Sequence, residues 1–297
     1  MFPPSDTFLT IDGLRLHLRD WGGPAAPPPI LLVHGLASNA RSWDLLAPLL
    51  APNFRLVAID QRGHGVSDTP DGGYDLATIA GDLAGAIGAL GWTRPLVVGH
   101  SWGANVALQL ATDHPSLPAG IVLLDGGTNE LASVMPLEET LERLAPPRLV
   151  GTPRAEFLER LRGRSTNGVF SKAAEEAIMG NFAIDAEDRI APHLTYENHL
   201  KIVRGMWEQR PTQLFAHVTC PTLIIPAELP PADQSAVEWL DRKRRAVAVA
   251  EASIPHARVV WAHDTIHDVQ LQRPEWLASE LAAFARSLRM RFDNQNQ

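Results

Sequence analysis

A serine set between two glycines, Gly99-His100-Ser101-Trp102-Gly103, follows the apolar run Leu96-Val97-Val98 and leads into Ala104-Asn105-Val106-Ala107-Leu108. That order reads as strand, sharp turn and helix, the junction that lifts a serine hydroxyl above the carboxyl edge of a parallel sheet, where it can act as a nucleophile. The glycines suit the turn because a Cβ at either place would crowd the neighbouring strand or helix. The bare pattern arises by chance in about one chain of this length in ten, so its surroundings have to carry the argument. A serine nucleophile needs a base to take its proton, a group to orient that base and donors for the developing oxyanion. His263 and His267 both follow the last apolar run. His267, in His267-Asp268-Val269 shortly before Pro274, is the candidate base, because a loop at that place can swing an imidazole over the serine turn.

The elements that must position these groups are visible in the hydrophobic pattern. Thr7 to Ile11 and Leu14 to Arg19, separated by Asp12-Gly13, predict a β-hairpin. Ile30 to Val33 is a short continuous apolar run, as expected of a buried parallel strand, and Arg55 to Ile59, Leu96 to Val98 and Gly120 to Leu124 read as further strands. Helical stretches are predicted around Ser42 to Leu50, from about Leu76 to Leu90 and over Asn105 to Thr112. This β-then-α alternation points to a parallel sheet covered on both faces by helices. Between Asp125 and about His217 the alternation stops, and Leu137 to Leu144, Arg154 to Leu161, Lys172 to Asn181 and Glu197 to Trp207 read as helices with no convincing strand among them. The pattern then resumes with a strand at Thr222 to Ile225, a helix from about Ser235 to Ala252, a strand at Arg258 to Trp261 and a last helix from Pro274 to about Leu288. The expected division is a sheet domain over residues 1–125 and 218–297 with an inserted helical cap over 126–217.

Composition narrows the function classes. The 297 residues are 45% hydrophobic and 20% charged with a formal net charge of −8, which describes an acidic protein with no basic stripe for nucleic acid. The single cysteine, Cys220, excludes an intrachain disulfide and a cysteine-based metal cluster, and reads as a small buried apolar residue. Met1 to Asp12 lack a basic start and a long apolar segment, and no run approaches the roughly 18 apolar residues of a membrane span. A cytoplasmic location is the resulting expectation. The eleven histidines show no His-Glu-x-x-His motif, which disfavours a metal hydrolase, and no cofactor is expected.

Taken together, His34-Gly35, the stretch Asp60-Gln61-Arg62-Gly63-His64-Gly65-Val66-Ser67, the serine turn and His267-Asp268 stand in an order that resembles the α/β-hydrolase superfamily over nearly the whole chain. The resemblance implies an α/β fold with an eight-stranded, mostly parallel sheet flanked by helices, and a lid inserted after the sixth strand. It also implies an oxyanion hole from two backbone N–H groups, which map to Leu36 and Trp102, and structural duty for Asp60 and Arg62. The chain departs from the pattern at one place. Many members of the superfamily carry the triad acid just after the next-to-last strand, but the residues there are Ala227-Glu228-Leu229-Pro230-Pro231, with Pro230 where the aspartate would stand. Asp125, directly after Leu123-Leu124, occupies the alternative acid position of some branches; Glu228, Asp233 or no acid at all are the other readings.

Relatives that open epoxides or cleave carbon–halogen bonds generally attack with an aspartate, whereas the residue here is Ser101. A serine alkoxide displacing at saturated carbon would leave a stable ether, so acyl transfer to water is the implied chemistry, with Trp102 as pocket wall and oxyanion donor. The cap brings apolar residues such as Phe157, Phe170 and Met206, and Met135, Phe182 and Trp207 are the candidates for the substrate pocket. The expected partner is a small to medium hydrophobic carboxylic ester. Neither nucleic acid nor a membrane is expected, and the oligomeric state stays open. A C–C, lactone or amide hydrolase would use the same constellation, and a non-catalytic ligand receptor is the alternative from another class.

Overall fold

The computed structural model describes residues 3–25, 28–164 and 171–295. Strands Ser5–Ile11 (β1) and Leu14–Gly22 (β2) pair antiparallel around Asp12-Gly13, whose φ values of 48° and 83° are those a tight hairpin turn demands. Ile30–Val33 (β3), Leu56–Ile59 (β4), Leu96–His100 (β5) and Gly120–Leu124 (β6) follow, and every residue in these four strands is buried. Their Val, Ile and Leu content is what a sheet covered on both faces selects.

Between these strands lie the short helix Ala47–Leu50 (α1), then Leu76–Ala89 (α2) and Trp102–Asp113 (α3). The helix expected around Ser42 to Leu50 divides into a 3₁₀ turn at Ala40–Trp43 and the single turn of α1. Side chains alternate across the sheet. Leu31, Val33, Val97, Ile121 and Leu123 join α2 and α3 in one core, while Ile30, Leu32, Leu96, Val98 and Val122 face the other.

After β6 the chain runs through Leu137–Arg143 (α4), Thr152–Pro153 (β7), Arg154–Arg164 (α5), Lys172–Met179 (α6), Phe182–Ile184 (β8), Arg189–Pro192 (β9), Tyr196–Glu208 (α7) and Pro211–Leu214 (α8). The four expected helices are present, but the expectation of no strand is corrected: β7, β9 and β8 form a three-stranded antiparallel sheet. Its strands are two to four residues long and two contain proline, so none is long enough to display an alternating pattern. Phe170 lies outside the described residues. Helix α7 is tied to the sheet domain where Asn105 and Gln209 exchange hydrogen bonds of 2.8 and 3.1 Å.

The sheet is completed by Thr222–Ile225 (β10) and, after a two-residue strand Ala227–Glu228 (β11) and the helix Gln234–Ser253 (α9), by Ala257–Val259 (β12). Ala262–His263 (β13) pairs separately with β11, so the strand expected over Arg258 to Trp261 ends two residues early. Val269–Gln272 (α10) and Pro274–Gln295 (α11) close the chain, α11 packing in the same core as α1. The main sheet has eight strands in the order β1-β2-β4-β3-β5-β6-β10-β12, parallel from β4 onward. Among the described residues, no helix is long and apolar enough to cross a membrane.

Register decides where chemistry can gather. Val33 pairs with Gly99, His100 with Leu124 and Leu124 with Ile225, so β3, β5, β6 and β10 end level with one another. The residues that follow these ends, Gly35-Leu36, Ser101, Asp125 and Ala227, therefore emerge along one edge of the sheet.

Candidate active site

Ser101 sits at φ 54° and ψ −120°, a conformation that L-residues seldom adopt and that a strand-to-helix elbow imposes. Its N–H donates to the carbonyl of Leu124 at 2.8 Å, which fastens the elbow to the end of β6. Gly99 and Gly103 make the turn possible: a Cβ on Gly99 would lie 2.1 Å from the Gly103 carbonyl oxygen, and one on Gly103 would lie 2.4 Å from that of Val33. Both contacts are with backbone, which has nowhere to move.

Asp125, the next residue after β6, also has positive φ, at 45°. Its Oδ2 accepts the Nδ1–H of His267 at 2.6 Å, and its Oδ1 accepts the Ala227 N–H at 2.9 Å and the Lys243 Nζ at 2.8 Å. The carboxylate is 4% exposed, whereas the imidazole is 52% exposed at the rim. Burial works against the aspartate's charge, but hydrogen bonding and charge from His267, with Lys243 behind them, bring its pKa down to about 2. Burial likewise works against the imidazolium, and the hydrogen bond and charge of Asp125 outweigh it, leaving His267 above its ordinary value. Asp125 is thus held as an anion, and in the unprotonated form of His267 this hydrogen bond keeps the ring proton on Nδ1 and leaves the lone pair on Nε2.

The other two candidate acids are engaged elsewhere. Glu228 pairs with Arg244 at 2.5 Å and lies 3.5 Å from His263, and Asp233 caps α9 by accepting the Ala236 N–H at 2.9 Å. No hydrogen bond joins Ser101 Oγ to His267 Nε2 among the described residues, a separation common before substrate tightens a nucleophile against its base.

The loop of the candidate oxyanion hole is held by five imidazole and amide contacts. His34 donates Nδ1–H to the Gly35 carbonyl at 2.8 Å and accepts the Gln61 N–H on Nε2 at 3.0 Å, while Gln61 Nε2 donates to the His34 carbonyl at 2.8 Å. His64 donates Nδ1–H to the Arg62 carbonyl and accepts the Ala37 N–H at 3.3 Å. Burial brings its pKa down to about 3, so it remains neutral. Among the described residues, neither the Leu36 N–H nor the Trp102 N–H is taken by another protein group.

Asp60 and Arg62 do the structural work that the resemblance implies. Asp60 is 3% exposed and accepts from the Ala40 N–H, the Val66 N–H and His17 Nδ1 at 2.6, 3.1 and 2.8 Å. Arg62 makes a two-pronged pair with Asp82 at 2.5 and 2.7 Å.

A cavity of about 690 Å³ opens beside this loop, with Ala37, Ser38 and His64 on one side and Phe157, Phe182 and His193 of the cap on the other. Of the three residues expected in the pocket, Phe182 is in this wall. Met135 and Trp207 are not among its lining residues and instead meet each other, the indole N–H donating to the Met135 carbonyl at 2.9 Å. The expectation of Trp102 as pocket wall is also altered. Its ring is fully buried and stacks on His64 with centroids 5.2 Å apart, so His64 is the group that reaches the cavity.

Sequence reasoning missed three residues of this site. Lys243 gave no signal because a lysine on a helix is ordinarily solvated. His100 donates Nε2–H to the His267 carbonyl at 2.9 Å, and Gln270 lies 3.4 Å from its Nδ1. The position of His100 inside the Gly99 to Gly103 motif was the one available hint for the last two.

A family model described as the alpha/beta hydrolase family matches residues 30–280. The chain belongs to that family. It is 36% identical over 125 residues to the 2-(acetamidomethylene)succinate hydrolase of Mesorhizobium japonicum, covering 41% of this chain and 44% of that protein. It is 35% identical over 115 residues to the soluble epoxide hydrolase of a Corynebacterium species, covering 39% of each. In both cases the match spans less than half of the relative's length. The crystal structure of E-2-(acetamidomethylene)succinate hydrolase superposes with a TM-score of 0.73 at 24% identity, over 95% of this chain and 98% of that one, a likeness of fold.

Proposed function

We propose that the chain is a serine hydrolase that cleaves small to medium hydrophobic carboxylic esters through an acyl-enzyme. The observation that carries this reading is the 2.6 Å bond from His267 to a buried, ionised Asp125, on the sheet edge from which the Ser101 elbow also rises. In this reading His267 Nε2 takes the Ser101 proton as Oγ attacks the ester carbonyl, and the Leu36 and Trp102 N–H groups receive the oxyanion. The tetrahedral intermediate expels the alcohol, which takes the proton from His267. Water, deprotonated by the same imidazole, then attacks the acyl-enzyme and releases the acid and free Ser101.

Residues 126–217 act as the lid over the cavity, and Phe157 and Phe182 favour an apolar acyl or alcohol group there. The serine nucleophile supports acyl transfer over the chemistry of the epoxide-hydrolase relative. An amide is the second reading, supported by the name of the Mesorhizobium relative.

A fluorophosphonate probe followed by peptide mass spectrometry tests the nucleophile, and a series of aryl esters and matching anilides of increasing chain length tests the substrate. An adduct on Ser101 with a clear optimum among apolar esters is expected. An unlabelled Ser101 would favour the receptor alternative, and anilides turned over faster than esters would move the assignment to an amidase.

A further inference from the structure

Lys243 has no part in the family resemblance, yet its ammonium lies inside the site. The side chain is 15% exposed and reaches from α9 to donate to Asp125 Oδ1 and to the Ala227 carbonyl, each at 2.8 Å. The Ala227 N–H donates to the same Oδ1 at 2.9 Å. The next residue on the helix, Arg244, holds Glu228, the acidic residue closest to the usual acid position. Two consecutive cations of α9 thus engage Asp125, which bonds His267, and Glu228, which does not.

An unopposed carboxylate stabilises an imidazolium strongly, whereas one whose second oxygen already carries an ammonium presents a nearly neutral pair. We infer that Lys243 is a positioning residue: it fixes Oδ1 of Asp125 so that only Oδ2 is offered to His267, and its charge keeps the imidazole unprotonated to lower pH than Asp125 alone would allow. The groups that face His267 are Asp125 from the end of β6, Lys243 from α9, His100 from β5 and Asp268 in its own loop. His100 is buried and neutral, with a pKa pushed down to about 4 by burial, so Lys243 is the cation in that set that opposes the two aspartates. The kinetic part of this inference rests on the ester-hydrolase reading, and the electrostatic part does not.

The test compares the full chain with its K243M, K243Q and K243R variants in two measurements. The first is the NMR titration of the His267 imidazole, assigned by the signal that H267N loses. The second is the pH profile of kcat/KM on an aryl acetate. In K243M and K243Q, the titration midpoint and the acidic limb are expected to move up together by about one pH unit. Just below the native limb, kcat/KM then falls up to about tenfold while the alkaline plateau holds. K243Q keeps a donor for the two oxygens and loses only the charge, and K243R keeps the native midpoint. A midpoint that does not move in K243Q overturns the inference, as does a uniform loss of kcat at every pH with the limb in place. A native chain that turns over no ester while the NMR midpoint still moves sinks the ester-hydrolase reading and leaves the role of Lys243 standing.

Discussion

His100 and His267 are joined by a hydrogen bond from the Nε2–H of the first to the backbone carbonyl of the second, 2.9 Å long and spanning 167 positions of sequence. Their rings lie 4.7 Å apart between centroids. Because a carbonyl only accepts, Nε2 of His100 carries its proton, and this buried ring becomes a strut between the serine elbow and the loop of the proposed base. Replacing it with phenylalanine keeps the ring and removes the donor. His100→Phe is expected to lower kcat on an aryl ester by about 10- to 100-fold with little change in KM, because sub-ångström displacement of a base is enough for that. Native kcat in a folded His100→Phe chain would show that the loop is held by other contacts.

The carboxylates make contrasting predictions. Asp125→Asn deprives His267 of its orienting anion, and turnover should fall by about 10⁴-fold. The same change leaves the ammonium of Lys243 with neutral acceptors only, the new amide oxygen and the Ala227 carbonyl, so a loss of stability of about 1–3 kcal/mol should accompany it. Glu228→Gln breaks a pair with an exposed arginine and should leave turnover within about twofold of native. Steady-state kinetics and urea titration of the two variants separate these outcomes, and an inactive Glu228→Gln chain would move the acid.

Activity should follow the ionisation of His267. The protonated ring cannot accept from Ser101, and its pKa lies above the ordinary 6.5, so kcat/KM should fall tenfold for each pH unit below that limb. Stability has a separate acid limit. Asp125 is held at about 2 against an ordinary 3.8, so the stabilisation it contributes is complete above the higher value and is lost as pH falls toward the lower one. That loss is on the order of 2 kcal/mol. Melting temperature followed between about pH 6 and 2 should drop less steeply in Asp125→Asn than in the native chain. Parallel curves would remove Asp125 from the acid transition.

Gly99→Ala tests the elbow as a packing problem. The added methyl meets a backbone carbonyl at 2.1 Å, and the strand or helix must shift to admit it. A destabilisation of about 3 kcal/mol or more is expected, with loss of phosphonate labelling at Ser101 even in protein that remains folded. A variant that labels at the native rate would mean that the turn tolerates a Cβ.

The legible part of this protein was the part written in local pattern. Four fully buried strands announced themselves as short stretches rich in Val, Ile and Leu, and Ser101 was marked by glycines whose absence of Cβ the backbone contacts require. His267 and Asp125 could be chosen because chain order and strand ends constrain them. Lys243 could not, since only the folded chain brings this helical lysine to Asp125 and the Ala227 carbonyl. Met135 and Trp207 were placed in the pocket on apolar character, which does not say whether a loop residue or one face of a helix meets the cavity. The strands of the cap were too short to show any period.

The 142 positions between Asp125 and His267 have a consequence for synthesis. When β6 has been made, Ser101 and Asp125 are already in the chain, but the imidazole of His267 has yet to be added. Such a chain has a nucleophile with no proton acceptor. On the proposed mechanism, hydrolysis therefore waits until His267 has been made and brought to Asp125, and a chain cut short before that loop lacks its base.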